Sequence, residues 1–245
     1  MKFLKLILDF YINTSIHVAV AVFSLVQITR LSLNISTNEN LDYFIFFGTI
    51  LGYNFLKYFE VFCRGIFTFK KNYSIVIVSF FAFLGMICFY FRLPSNIQIT
   101  FLKIGILVLI YPFIRKFALL KMIFVSFCLT LITVYVLESK NDYLYLFQRF
   151  LIVFCLLIPL EICDLQTDSK TIKTIPQIIG IQNLKVLGYF LLVLFCGLQF
   201  DFCNLNFVIL VAFAIFFSNE NRSKYYTSFW VESLPVVWWV LKSIH

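Results

Sequence analysis

Between Leu160 and Pro176 the chain carries Glu161, Asp164 and Asp168, followed at once by Lys170 and Lys173. At spacings i, i+3 and i+7 the three carboxylates share one face of a helix, provided the helix continues through them. Their oxygens suit a hard cation such as Mg2+. Carboxylates beside lysines can hold a metal-bridged diphosphate: the metal neutralises phosphate oxygens, and the ammonium groups oppose the charge that develops on a leaving group. The same spacing also fits a solvated helix end whose acids and lysines simply face water, so the residues by themselves leave both readings open.

The elements that must position these residues are set by composition. Of the 245 residues, 62% are hydrophobic and 13% charged, against about 45–50% and about 25% in soluble domains. At about 20 mostly apolar residues per span, this is enough for roughly nine membrane crossings and leaves little for a soluble domain. The apolar residues come in continuous blocks, which argues against the alternating strands of an outer-membrane barrel. The blocks run near Ile12 to Thr29, Leu41 to Leu56, Tyr73 to Phe91, Ile97 to Ile114, Phe117 to Leu137, Tyr143 to Ile162, Leu184 to Phe200, Phe202 to Phe217 and Phe229 to Leu241. The ninth contains Glu232 and Pro235, while Trp230, Trp238 and Trp239 suit an interfacial belt. The prediction is an all-α, polytopic transmembrane bundle of about nine helices, forming one domain over residues 1–245. Lys2 and Lys5 precede the first block, and Asp9, Asn13 and the lack of a small-residue cleavage site argue against a removable signal. That stretch is expected to be a cytoplasmic lead-in to the first helix.

The formal net charge is +8. A nucleic-acid binder would carry its basic residues on a solvated face, whereas here they punctuate apolar blocks, so no nucleic-acid partner is expected. With the N-terminus inside, six of the twenty Lys and Arg fall on the far side, namely Arg30, Arg92, Lys103, Lys140, Arg149 and Lys242; the other fourteen fall on the cytoplasmic side. This inside-positive bias predicts an N-in, C-out protein, with the Glu161 to Lys173 stretch facing the cytoplasm. Lys103 and Arg149 lie inside blocks but near enough to their ends to snorkel. The seven cysteines form no CxxC pair and mostly sit in apolar runs, so neither disulfides nor a zinc site are expected. His17 and His245 are too few for a histidine-based metal centre.

Asp164-x-x-x-Asp168, followed by Lys173-Thr174-Ile175-Pro176 and Gly180, resembles the second aspartate-rich motif of the UbiA superfamily of membrane prenyltransferases. Its position after the sixth of nine helices, on the cytoplasmic side, is that family's position. Tyr111-Pro112-Phe113-Ile114-Arg115-Lys116 resembles the family's basic inter-helix connection. The family's first motif, N-D-x-x-D-like, aligns with the stretch from Tyr53 to Glu60: Asn54 matches, Phe55 and Tyr58 stand where aspartates would be, and Glu60 is the nearest carboxylate.

The resemblance implies Mg2+-dependent transfer of an isoprenoid group from an allylic diphosphate to an aromatic or related hydrophobic acceptor, through a carbocation and within the bilayer. It implies Asp164 and Asp168 as the catalytic metal ligands with Glu161 in support, and Asn54, Lys57, Arg115, Lys170 and Lys173 as diphosphate contacts. Lys57 would supply a fixed positive charge where a second metal is missing. The 33 Phe and 13 Tyr are spread through every block, so none is assigned to the cation. Two other functions fit the residues: a non-catalytic relative that binds lipid diphosphates, and a small transporter. Against the transporter, the charge cluster lies at the membrane edge, whereas transporters place substrate sites near mid-membrane.

Overall fold

The computed structural model describes residues 2–63, 65, 72–114, 117–137, 142–166, 174–198 and 201–244, and among them there is no strand. Where water is absent, a helix satisfies every backbone N–H and C=O within its own segment, and each of the nine apolar blocks falls on a helical segment. These are α2 (Ile16–Leu33), α3 (Glu39–Cys63), α4 (Tyr73–Tyr90), α5 (Ser95–Ile114), α6 (Ala118–Thr130) running on into a π turn (Leu131–Tyr135), α7 (Tyr143–Cys163), α9 (Ile181–Leu198), α10 (Phe202–Phe217), and a π turn (Tyr226–Val231) leading into α11 (Leu234–Ile244). Two further helices complete the chain, α1 (Lys2–Asn13) and the short α8 (Ile175–Ile179). By length and composition, α2, α4, α5, α7 and α9 can each cross a membrane.

The hydrophobic pattern explains the packing order. Of the candidate span in α7, 61% is buried, against 11% of that in α4. α7 packs on α6, α9 and α10, and α2 on α3 and α11. Ile152, Ile158 and Ile162 of α7 join Leu184, Phe207, Val211 and Ile215 in the largest core cluster. α4 is apolar all round and turns Phe80, Phe81, Phe83 and Leu84 outward, as lipid-facing surface requires.

Close approach in this core depends on Gly188. A Cβ there would lie 2.8 Å from Ile158 Cδ1 and 3.0 Å from Ile215 Cδ1, and both isoleucines are fully buried. Gly188→Val is therefore expected to cost about 1–3 kcal/mol through overpacking, read as a lower unfolding temperature in detergent. Gly197→Val on the same helix, where nothing lies within 4 Å of a built Cβ, is the control that should leave the core intact.

Three expectations are corrected. The N-terminal lead-in is a helix of its own, with Phe3, Leu4, Leu6 and Ile7 exposed, set off from α2 because Ser15 takes the left-handed conformation (φ 63°). Arg149 does not snorkel. It is 2% exposed, and its Nη2 donates to Thr29 Oγ1 at 2.8 Å and to Tyr145 Oη at 2.9 Å, because α2 and α11 close over it. Trp238 is not in an interfacial belt: it is 4% exposed, stacks on Phe207 with centroids 4.3 Å apart and donates its indole N–H to Asn204 Oδ1 at 3.2 Å. Trp230, at 67% exposed, is the tryptophan free to meet an interface.

At the turn between α2 and α3, Asn34 caps α2 in the left-handed conformation. Arg30 reaches across to Asp42, with Nη2 to Oδ1 at 2.7 Å and both side chains buried. Gln27 Nε2 donates to the other carboxylate oxygen at 3.1 Å, and Arg30 Nη1 also donates to the Ser36 carbonyl. Arg30 is thus a buried latch and not merely a loop cation.

Candidate functional site

α7 carries Glu161 and Asp164 to one end of the bundle. The α-helix does not run on through the carboxylates as their spacing required. It stops at Cys163, and Asp164–Gln166 forms a single 3-10 turn, the tightening that commonly satisfies the last carbonyls of a helix. Asp168, Lys170 and Lys173, and Arg115 after α5, lie outside the described residues. Glu161 is buried and its Oε1 accepts from Lys121 Nζ of α6 at 2.7 Å; Asp164 is exposed. The two acids therefore meet different surroundings.

Asn54 and Lys57, one turn apart on α3, arrive at the same end. Asn54 is buried and committed on both sides of its amide: Oδ1 accepts from Ser15 Oγ at 2.6 Å, and Nδ2 donates to the Thr14 carbonyl at 3.1 Å and to Ser79 Oγ at 2.9 Å. Its amide holds the break between α1 and α2. Lys57 Nζ donates to the Ile12 carbonyl at 3.3 Å, and Tyr58, which stands where the family's second aspartate would be, donates to the Asn13 carbonyl at 3.0 Å. Tyr225 Oη donates to Asp9 Oδ1 at 2.5 Å, fastening α1 to the segment before the last helix. The Glu60 side chain lies outside the described residues.

Sequence reasoning missed the acid at the centre of this cluster. Glu232 follows the π turn, and Tyr53 Oη donates to its Oε1 at 3.5 Å, a long contact. It also feels the charges of Lys57 and Asp164. Tyr53 in turn is within electrostatic reach of Tyr111 and Asp164, and Lys57 of Lys224. Tyr53, Lys57 and Glu232 are each half-buried. A lone carboxylate in an apolar block is a functional candidate by default, and π turns are frequent at functional sites; Glu232 carried the first signal in the sequence. Nothing in the spacing marked Tyr53, Tyr111 or Lys121.

Beside the end of α7 a cleft of about 430 Å3 opens between the start of α9 and the end of α10, lined by Gly180, Gln182, Asn183, Lys185, Ser218 and Asn219 among others. Its volume is in the range of small-molecule sites, about 300–1,000 Å3. Gly180 takes a positive φ of 85° that lets α8 turn sharply into α9. Lys185 Nζ donates to the Phe216 and Ser218 carbonyls at 2.9 and 2.8 Å, capping α10, while Cys163 Sγ meets the Asn219 carbonyl at 3.3 Å. Asn54, Lys57 and Asp164 do not line this cleft.

Among the described residues no three His, Cys, Asp or Glu side chains converge as a metal-binding group, and all seven cysteines carry free thiols. No family model, no curated protein and no solved structure matches the chain. The fold defines an all-α integral membrane protein with a mixed-charge cluster at one end of its bundle.

Proposed function

We propose that the chain is a membrane prenyltransferase of the UbiA kind, which moves an isoprenoid group from an allylic diphosphate to a hydrophobic acceptor at the cytoplasmic face of a bacterial inner membrane. In this reading the nine apolar segments are nine crossings, N-in and C-out. The observation that carries it is the contact between α3 and the last segment, Tyr53 Oη to Glu232 Oε1 at 3.5 Å, one turn from Lys57 and at the end of the bundle where α7 brings Asp164. Counting lysines and arginines assigns that end to the cytoplasm.

The donor chemistry fits Mg2+. Asp164 is an exposed hard-oxygen donor of the kind that Mg2+ takes. Asp164 and Asp168 would hold the ion, which when bound neutralises the oxygens of the departing diphosphate. The chain's own residues do the rest. Lys57 sets an ammonium beside the leaving group, Tyr53 orients the Glu232 carboxylate, and Lys121 neutralises Glu161 so that it packs without a competing negative charge. Asn54 acts as a positioning residue: it fixes the start of α2 against α3 and thereby the height of Lys57. The outward apolar surfaces of α4 and α5 let the isoprenoid tail approach from lipid.

One observation favours a second reading, a relative that binds lipid diphosphates without turnover: the remnants of the first motif, Asn54 and Lys57, both hydrogen-bond to the α1–α2 hinge. Diphosphate release from geranyl, farnesyl and geranylgeranyl diphosphate, measured on nanodisc-embedded protein with and without Mg2+, separates the readings. Mg2+-dependent release supports the transferase; tight binding with no release supports the binder; no binding of any of the three overturns both.

A further inference from the structure

We propose that the end of the bundle opposite the polar cluster holds a small inorganic anion, of halide size, against Arg149. The guanidinium is a positive charge, yet among the described residues no carboxylate lines the cleft it faces. Its Nη2 donates only to neutral oxygens, those of Thr29 and Tyr145. Its Nη1, also buried, has no hydrogen-bond partner among the described residues. Arg30, the neighbouring buried arginine, shows the ordinary solution, a carboxylate at 2.7 Å. A buried charge without an opposite charge is costly. The faces of Tyr145 and Trp238, 5.6 and 5.2 Å from the Arg149 guanidinium carbon, offset part of that cost but supply no net charge.

The surroundings select an anion. Arg149 faces a narrow cleft of about 10 Å3, space for a single water-sized species, whose polar edge is formed by Ser32, Tyr145, Gln148, Asn204 and Lys242. The Asn204 carbonyl oxygen is taken by the Trp238 indole, which leaves its NH2 as a donor. Lys242 adds a second positive charge; its nearest acid, Asp201, is 3.7 Å away and 41% exposed. Two cations and two amide groups thus frame one small space. It is smaller than the roughly 300–1,000 Å3 of organic-ligand sites, which points to an inorganic ion. Such an ion would neutralise Arg149 where α2, α7 and α11 meet, and so would join three elements of the core. This inference stands apart from the proposed enzymatic function, since it concerns the other end of the bundle.

The test is thermal unfolding of the nanodisc-embedded protein in sodium chloride and in sodium gluconate at equal ionic strength, with chloride as the probe. Saturating chloride is expected to raise the unfolding temperature of the wild type by about 3 °C, and the rise is expected to vanish in Arg149→Gln and to weaken in Lys242→Gln. A wild type whose unfolding temperature is the same in both salts overturns the proposal, as does an undiminished chloride effect in Arg149→Gln. Should Arg149→Gln fail to fold, crystals of the wild type grown in bromide decide: an anomalous peak within hydrogen-bonding distance of Arg149 Nη1 supports the site, and its absence there overturns it.

Discussion

Asp164→Ala is expected to lower Mg2+-dependent diphosphate release by about 10²–10³-fold, the range seen when one preorganised electrostatic stabiliser is removed from a transition state, while leaving the unfolding temperature almost unchanged. The second half of that expectation follows from exposure. Asp164 sits exposed on the 3-10 turn beyond the end of α7, and most exposed substitutions change stability far less than buried ones do. Glu161→Gln provides the contrast. It breaks the 2.7 Å pair with Lys121 inside the bundle, so stability and activity should fall together. Kinetics and calorimetry on the two variants therefore distinguish a carboxylate that acts on substrate from one that holds two helices together. Equal losses of stability in both variants would contradict the roles given to them.

The largest loss of stability is expected from Asp42→Ala. It strips the buried Arg30 guanidinium of its carboxylate, and breaking a buried pair by removing one partner costs about 3–5 kcal/mol, or roughly 10 °C in unfolding temperature for a chain of this size. The double variant Arg30→Met with Asp42→Leu replaces both charges by apolar groups of similar bulk and should recover most of that loss, since such exchanges are often neutral or stabilising. The measurement is the unfolding temperature of the three proteins in the same detergent. A double variant as unstable as Asp42→Ala would show that the turn needs the ion pair itself.

Most of the fold was legible because the bilayer imposes one rule on the backbone, and the apolar blocks obey it: each lies on a helical segment, with ends displaced by a few residues. What periodicity could not reveal was tertiary. Arg149 and Trp238 are of types that suit a membrane interface, and only their neighbours Thr29, Tyr145, Phe207 and Asn204 pull them into the core. α1 was missed as a separate helix because the break rests on Ser15, a residue with no strong turn signal, held in its left-handed conformation by Asn54 from α3. At the candidate site, spacing identified Asp164 and Glu161 but assumed one continuous helix, and the 3-10 turn after Cys163 sends the two acids to different environments. Glu232 was visible as a lone acid beside Pro235, but its approach to Lys57 needs the last segment to return to α3, a long-range pairing that local pattern does not encode.

The central claim is that the isoprenoid diphosphate sits where α3, the end of α7 and the segment around Glu232 converge. A photoreactive isoprenoid diphosphate analogue, cross-linked to the nanodisc-embedded protein in Mg2+ and mapped by mass spectrometry, tests it directly. Adducts within α3 near Tyr53 to Lys57, at the end of α7 or beside Glu232, abolished by excess unlabelled farnesyl diphosphate, are the predicted result. Competable adducts confined to the opposite end of the bundle, or labelling that farnesyl diphosphate does not compete, would contradict it.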